Sequence, residues 1–322
     1  MIRYDITLAE VETLIDKYLP AWRDKARKRT EKSRRAGYFD DPSPIWSEIK
    51  PIYMRLQSNK CAYCERRLEG PDTKPSEEAD IAAVPNGQGA GSEQVSTTGR
   101  IEHDVEHYRP KSSVDQWPDP SHRSYASLAY AFPTGNADRG YHLLAYSLWN
   151  YAVACKTCNS ELKGTYFPIA GTRIPDGEDP ELLRAEMPYL IYPIGRFDDD
   201  PQNLIGFKGV LPIPIGKTQH EQRRGEVTID FFLLHKRDTL RRERSEIIRG
   251  LFFALIIRDD HTKPDGWRSL AAQSIDTLTS KSERHSSCAI SFVKIWETNQ
   301  TEAEKLATQA LAIIGIDPGQ ST

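Results

Sequence analysis

The chain has 322 residues, enough for one large or two modest domains, and its composition is that of an ordinary globular protein. It carries 43 basic and 46 acidic residues, and this balance excludes a general attraction of the whole molecule to polyanions. The mean hydropathy of −0.59, with no apolar run of roughly 18 residues, excludes a membrane-spanning helix, and the first residues lack the apolar core of a secretory signal. We expect a soluble cytoplasmic protein with reduced thiols and no membrane association.

The N-terminal region, residues 1–50, is predicted to be helical. A helix is predicted over residues 7–35, because apolar residues recur every three or four positions from Leu8 to Leu19 and Thr7 and Glu10 have the spacing of a capping box. That helix, or its continuation past Pro20, carries a strongly basic segment at residues 23–35. Lysine and arginine are good formers of solvated helix surface, so this segment is explained more simply by exposure than by a nucleic-acid contact.

Two Cys-x-x-Cys pairs lie in the next region, residues 51–170. Their four cysteines are Cys61, Cys64, Cys155 and Cys158. Four soft thiolates suit a tetrahedral zinc ion, and a zinc with four protein ligands has no vacant position, so it would be structural. The pattern therefore predicts a structural zinc that clamps the ends of the intervening segment together. The fifth cysteine, Cys288, is predicted to be a buried apolar residue.

The remaining regions show less chemistry. Residues 70–99 are rich in glycine, proline, serine and acidic residues, which favours a flexible surface insertion. Residues 171–225 are rich in proline and glycine and are predicted to be irregular, with short strands. The C-terminal region, residues 226–322, is predicted to be helical, in two stretches at about 234–258 and 266–314.

Two Glu-His pairs occur in the segment RIEHDVEHYRPK, residues 100–111, whose alternating character predicts a short strand. The pairs are Glu102 with His103 and Glu106 with His107. A carboxylate beside an imidazole can hold a hard divalent cation while the neutral ring takes a proton from water. Such a pair has little specificity by itself, and its weight depends on the residues around it.

The segment LWNYAVACKTCNSELKG, residues 148–164, supplies those residues: Asn150, Asn159 and Lys163. A helix that starts near Thr157 would put Asn159 and Lys163 on one face. This face would offer an amide oxygen beside a metal and an ammonium group to a phosphate. Phosphodiester hydrolysis needs a base for water, a cation on the phosphate and a positive group for the developing charge.

The motifs KCAYCE, EHYRPK and LWNYAVACKTCN..LKG..FP resemble the HNH endonucleases, specifically the PtuB-like branch. That branch is the nuclease component of Septu anti-phage systems and of related retron-linked pairs. The resemblance covers about residues 44–168 and is looser beyond them. It implies an α+β fold with a ββα-metal nuclease core, flanked by helical regions. It also implies hydrolysis of DNA, or of RNA, together with an ATPase partner of the PtuA kind.

Carried over to this sequence, the resemblance implies a role for each candidate residue. Glu106 and Asn159 would hold a catalytic Mg²⁺ or Mn²⁺, and His107 would be the general base. Asn150 would brace the loop and orient His107, and Lys163 belongs to the same catalytic set. An asparagine at position 159 gives an H-N-N pattern, and oxygen ligands favour a hard ion over zinc at this second site.

Alternatives remain for which Glu-His pair is catalytic and for the roles of two cations. Glu102 and His103 form an equivalent pair, but only Glu106 is followed directly by HYRPK, as the family pattern requires. Arg109 and Lys111 either contact backbone phosphate or form a solvated strand end.

Two other function classes are compatible with parts of the cysteine pattern. A noncatalytic zinc-stabilised module that binds nucleic acid or protein is the alternative to the nuclease. A zinc-dependent nucleobase deaminase is disfavoured, because Ala154 stands where that chemistry requires proline before Cys155.

Overall fold

The computed structural model describes residues 1–68 and 102–316, so the predicted insertion at residues 70–99 lies outside the described residues. The described chain divides into two compact units. The first consists of residues 3–63, 67–68 and 102–199; the second consists of residues 1–2, 64–66 and 200–316. The predicted N-terminal helical region and the cysteine-rich core therefore belong largely to one unit. The boundary after residue 199 falls within the segment predicted to be irregular.

Two helices, α1 (Leu8–Tyr18) and α2 (Trp22–Ala36), replace the single long helix predicted near the N-terminus. The break falls at Pro20, because proline inside a helix removes a backbone hydrogen bond and clashes with the preceding turn. The predicted capping box is present: the Thr7 hydroxyl accepts from the Glu10 amide at 3.2 Å, and the Glu10 carboxylate accepts from the Thr7 amide at 2.8 Å.

The first unit contains a pair of antiparallel strands, which we call the hairpin although a long segment of chain connects them. Its strands are β1 (His103–His107) and β2 (Tyr151–Cys155), with His107 opposite Tyr151. The chain then enters a short π-helix, Thr157–Lys163, which we call the site helix. The predicted strand and the predicted helix start near Thr157 are both present, and the chain order is strand, strand, helix.

Helix α3 (Lys50–Leu56) leads to the first cysteine pair, and the buried side chain of Gln57 fastens this segment to β2. The Gln57 amide group donates to the carbonyls of Val153 at 3.0 Å and Lys60 at 3.1 Å, and its oxygen accepts from the Val153 amide at 2.8 Å. The Ala62 amide also donates to the Val153 carbonyl. These bonds place the first Cys-x-x-Cys pair beside the strand that ends in the second.

Short helical turns complete the first unit. Helix α4 spans Pro180–Leu183. The 3-10 turns are Trp46–Ile49, His142–Leu144, Leu148–Asn150 and Arg184–Glu186. Much of this unit is irregular, as the proline- and glycine-rich sequence after residue 170 predicts.

The second unit begins with α5 (Pro201–Leu204) and a second antiparallel hairpin, β3 (Ile205–Lys208) and β4 (Leu211–Pro214). Helix α6 (Gln219–Phe231) follows and starts earlier than the helical region predicted from residue 226. The reason is a capping box at Thr218, whose hydroxyl accepts from the amide three residues later. The described residues thus combine helices with small antiparallel sheets, which confirms the α+β class.

Four helices close the second unit: α7 (Asp238–Asp259), α8 (Asp265–Thr279), α9 (Ser286–Thr298) and α10 (Gln300–Ile313). The stretch predicted to be helical over residues 266–314 is therefore three helices. The last break occurs at Asn299, whose side chain caps α10 by accepting from the Glu302 amide at 3.1 Å. Among the described helices, none combines the length and apolar character that crossing a bilayer requires.

A buried arginine organises the interior of the second unit. Arg244 donates to the carbonyls of Leu234 at 2.7 Å and Val210 at 3.2 Å. Arg244 lies in a second basic segment, residues 235–249, whose lysine and arginine content predicts a solvated helix face. Its burial shows that this segment is not simply such a face. Cys288 is fully buried, as predicted, and its thiol donates to the Gly209 carbonyl.

Candidate functional site

The four paired cysteines form a compact buried cluster. The sulfur atoms of Cys61, Cys64, Cys155 and Cys158 all lie within 4.8 Å of one another, and no disulfide joins them. A tetrahedral zinc with Zn–S bonds of about 2.3 Å separates its sulfur ligands by about 3.8 Å. The cluster could therefore hold a structural metal such as zinc.

The cluster also determines where the site helix starts. Cys155 is the last residue of β2, and Cys158 is the second residue of the site helix. A metal that joins these two thiolates to the first pair would hold the helix against the hairpin. Asn159 and Lys163, which lie on this helix, are thereby carried beside β1.

Glu106 and Lys163 meet inside the first unit. Their side chains are 3% and 0% exposed, and the Lys163 ammonium lies 3.2 Å from Oε1 of Glu106 and 3.3 Å from the His107 carbonyl oxygen. Lys163 therefore faces the carboxylate rather than the surface at which a phosphate would arrive. Among the described residues, no group other than the Lys163 ammonium satisfies this buried oxygen.

Burial dominates the electrostatics of this pair. It raises the pKa of Glu106 to about 7, although the neighbouring Lys163 opposes the rise. Burial likewise lowers the pKa of Lys163, and Glu106 opposes that change. Each group thus stabilises the charged form of the other in a site that would otherwise disfavour both charges.

His107 is 7% exposed and lies between two aromatic rings, those of Trp46 and Tyr151, at 4.7 and 5.1 Å between ring centres. Its Nε2 lies 3.0 Å from the carbonyl oxygen of Ala145. A carbonyl can only accept, so we assign the proton to Nε2 and the lone pair to Nδ1. Burial, with a smaller contribution from Lys111, lowers the pKa of His107 well below its usual value. The ring is therefore neutral near pH 7, the state that a general base requires.

Asn150 ties down the chain that follows His107. Its side-chain oxygen accepts from the Arg109 amide at 2.8 Å, and its amide group donates to the carbonyls of Arg109 at 3.0 Å and Leu144 at 3.2 Å. Its backbone carbonyl also accepts from the Tyr108 amide. One buried side chain thus links the end of β1 to the turn before β2.

Replacing Asn150 with alanine is expected to lower the free energy of unfolding by about 2–4 kcal/mol, because buried backbone groups of Arg109 and Leu144 would lose their partners. Urea unfolding of both proteins measures this difference. Asn159→Ala is the matched control, since the Asn159 side chain is half-exposed and makes no hydrogen bond within residues 1–68 and 102–316. Equal losses in the two variants would contradict the bracing role.

Arg109 does not reach solvent, which makes the phosphate contact considered for it wrong. Its guanidinium forms a buried ion pair with Glu186 at 2.9 Å and donates to the Leu183 carbonyl at 3.0 Å. The same carboxylate accepts from the Tyr141 hydroxyl at 2.8 Å. Arg109 instead anchors the loop after β1 to the segment that follows α4. Lys111 remains partly accessible, with its ammonium 4.6 Å from the Trp46 ring centre.

The two Glu-His pairs have different surroundings. The Glu102 side chain is 72% exposed, and its carboxylate lies 2.5 Å from the Lys156 ammonium. Nε2 of His103 contacts the Met54 sulfur at 3.1 Å. An exposed carboxylate binds a single cation weakly, because water competes for its oxygens. The Oε1 atom of Glu106 is buried, and Lys163 is the one charged group that faces it among the described residues. These surroundings support the register at Glu106 and His107.

Asn159 lies on the site helix, four residues before Lys163. Its backbone carbonyl accepts from the Gly164 amide at 2.8 Å, the five-residue step of a π-helix. The side chain is half-exposed and has no hydrogen-bond partner in the described parts of the chain. The structure therefore brings Lys163 into contact with Glu106 and with the His107 carbonyl, while Asn150 braces the loop that follows His107. Asn159 lies on the same helix as Lys163, outside these contacts.

Sequence reasoning missed the residues that surround His107. Trp46 and Tyr151 hold the ring edge-on, and Ala145 supplies the carbonyl that determines its tautomer. The position of Tyr151 opposite His107 follows from the hairpin register, which the sequence does not specify. No pattern indicates which backbone carbonyl would meet the ring.

In comparisons with known proteins, no protein-family model, curated protein or solved structure matches the chain. A function for the chain must therefore be argued from its motifs and from the geometry described above.

Proposed function

We propose that this protein is a metal-dependent endonuclease of the HNH type, which hydrolyses phosphodiester bonds in nucleic acid, most readily in DNA. The observation that carries the proposal is the arrangement at the end of β1. There a neutral His107 with its Nδ1 lone pair left to accept a proton follows directly on Glu106, a buried carboxylate that faces the Lys163 ammonium. The strand, strand, helix order around these residues supports a ββα-metal core.

The donor types of Glu106 and Asn159 are those that suit a hard divalent cation. Glu106 offers a buried carboxylate whose Oε1 lies 3.2 Å from the Lys163 ammonium, and Asn159 offers an amide oxygen without a hydrogen bond in the described chain. Carboxylate and amide oxygens are the ligands that Mg²⁺ and Mn²⁺ prefer. When bound, such an ion would polarise the scissile phosphate and stabilise the leaving oxygen. The Lys163 ammonium and the bound ion would both contact the Glu106 carboxylate.

The protein's own groups would handle the proton. Nδ1 of His107 would take a proton from the attacking water, since the low pKa keeps this ring neutral before the reaction. The Ala145 carbonyl, 3.0 Å from Nε2, would orient the ring and stabilise the imidazolium that forms. Asn150 would keep the loop after His107 in place through its bonds to Arg109.

Glu106→Gln tests the metal role. The amide cannot supply the negative oxygen, so Mg²⁺-dependent cleavage should fall about 100-fold or more, the size of effect seen when one transition-state stabilising group is removed. Glu102→Gln removes the same charge from the exposed pair and should leave cleavage unchanged. Plasmid cleavage rates over a Mg²⁺ series measure both. Full activity of Glu106→Gln would remove this carboxylate from the metal site.

We further propose that the nuclease works in a prokaryotic anti-phage complex with a PtuA-like ATPase. The resemblance of the motifs supports this assignment. Large apolar side chains that remain exposed on the second unit support a protein partner, because such groups mark interaction surfaces. They include Phe253, Ile256, Trp267 and Leu270. Size-exclusion chromatography of the protein mixed with such an ATPase tests the pairing; separate elution at micromolar concentration would count against it.

One contact favours the noncatalytic module as a second candidate. Lys163 already neutralises Glu106, and a pair of that kind also occurs as a purely structural element. A structural pair would tolerate the loss of His107 without any change in function. Hydrolysis that requires added Mg²⁺ and is lost in His107→Ala would exclude this candidate.

A further inference from the structure

We propose that a groove along α2 binds the sugar–phosphate backbone of the nucleic acid and leads it to His107. This inference rests on the proposed nuclease function and names the surface that function would use. The groove has a volume of about 810 Å³ and is lined by six cationic side chains and two carboxylates. The cations are Arg23, Arg27, Lys28, Lys32, Arg34 and Arg35. In a chain with a net charge of −3, this is a marked local excess of positive charge.

Several of these cations are available to a ligand. Lys28 is exposed and has no ion pair within residues 1–68 and 102–316. Among the described residues, Lys32 donates only to the backbone carbonyl of Asp40, at 3.2 Å. The Arg27 side chain is 77% exposed, and its partner in the described part of the chain is Asp24 on the same helix. Exposed pairs of this type are weak, so phosphate oxygens can replace the carboxylate at little cost.

The floor of the groove is continuous with the wall of the candidate site. Trp22 and Tyr146 contribute to the floor. Tyr146 directly follows Ala145, whose carbonyl faces Nε2 of His107. The Tyr146 ring also lies 5.9 Å from the Trp46 ring, which meets the His107 ring edge-on at 4.7 Å. The groove and the imidazole therefore meet the same aromatic layer, formed by Tyr146 and Trp46.

The length of α2 suits a polyanion better than a small anion. Its 15 residues extend about 22 Å, which spans several phosphates of one nucleic-acid strand. A single phosphate would need one closed pocket, whereas these cations are spread along the whole helix. Charge complementarity over this length points to a nucleic-acid backbone.

The test compares nucleic-acid binding by three proteins that share the His107→Ala change, so that no substrate is consumed. The first has no other change. The second carries Arg27→Gln, Lys28→Gln and Lys32→Gln, which keep good helix-forming residues on the exposed face. The third is the matched control with Lys236→Gln, Arg242→Gln and Arg249→Gln, an equal loss of exposed positive charge in the second unit.

Fluorescence anisotropy with a labelled 20-base-pair DNA and with its single strand, from 50 to 200 mM salt, measures the dissociation constants. The α2 variant should bind about tenfold more weakly or worse at low salt. The slope of its log affinity against log salt concentration should be less steep by about 2–3, since each lost phosphate contact removes about 0.7 to 0.9 from that slope. The control should bind as the parent does. The DNA form that shows the greater loss is the one the groove holds.

Three results would overturn the groove assignment: no DNA binding by the parent, equal affinity of the α2 variant, or an equal loss in the control. Competition by polyglutamate as strong as competition by DNA would also overturn it, in favour of an acidic protein partner. Failure of the nuclease function is seen separately. In that case the protein with His107 intact would not cleave DNA, while the α2 variant would still bind more weakly.

Discussion

Replacing Cys158 with alanine is expected to release one zinc ion per chain and to unfold the region around the β1–β2 hairpin. The four sulfur atoms lie within 4.8 Å of one another, and zinc bound by such a set contributes about 10–16 kcal/mol of apparent free energy. This is comparable to the whole stability of a typical domain, about 5–15 kcal/mol. Because Cys158 lies in the first turn of the site helix, its loss should also release Asn159 and Lys163 from the hairpin.

Metal analysis by mass spectrometry and thermal unfolding followed by circular dichroism measure the effect. Cys288→Ala is the matched control, since Cys288 is fully buried but lies outside the cluster. This variant should keep its zinc and lose only about 1 kcal/mol. Retention of a full zinc equivalent and of the parent melting temperature by Cys158→Ala would show that the cluster is not a structural metal site.

Replacing His107 with alanine is expected to reduce nucleic-acid cleavage by about 10²–10⁴-fold, the usual contribution of a general base. The ring is held by Trp46, Tyr151 and the Ala145 carbonyl, with Nδ1 left to accept a proton. Its low pKa means that lowering the pH toward 6 should not protonate it and so should not remove its function.

His103→Ala is the control for this prediction. His103 lies on the same strand and contacts the Met54 sulfur, while its neighbour Glu102 is exposed. Cleavage by His103→Ala should therefore stay within a few-fold of the parent rate. Zinc content, which should be unchanged in both variants, serves as the folding control. If His103→Ala is the inactive protein, the catalytic pair is Glu102 and His103.

The sequence was most informative where chemistry constrains spacing. Two Cys-x-x-Cys pairs predict four thiolates in one place, and the structure brings all four together. Alternation of apolar and polar residues predicts the strand that contains Glu106, and capping residues predict the start of α1. These features depend on neighbours in the chain, so the sequence alone carries them.

Features that depend on distant residues could not be predicted. Arg109 reads as part of a solvated strand end, yet it pairs with Glu186, far along the chain. Lys163 has the right spacing from Asn159, but its burial against Glu106 depends on how the site helix packs. The break before α10 likewise depends on a cap at Asn299 that is one weak signal among many.

The most direct test of the central claim is cleavage of supercoiled plasmid by the purified, zinc-loaded protein over a titration of Mg²⁺, with a Mn²⁺ series and a chelator that removes only free divalent ions. We expect nicked and linear products whose rate of formation rises with Mg²⁺, saturates, and vanishes in chelator while the zinc content stays constant. Absence of cleavage in every metal, on DNA and on RNA and with a PtuA-like ATPase added, would contradict a nuclease function and favour a noncatalytic zinc module.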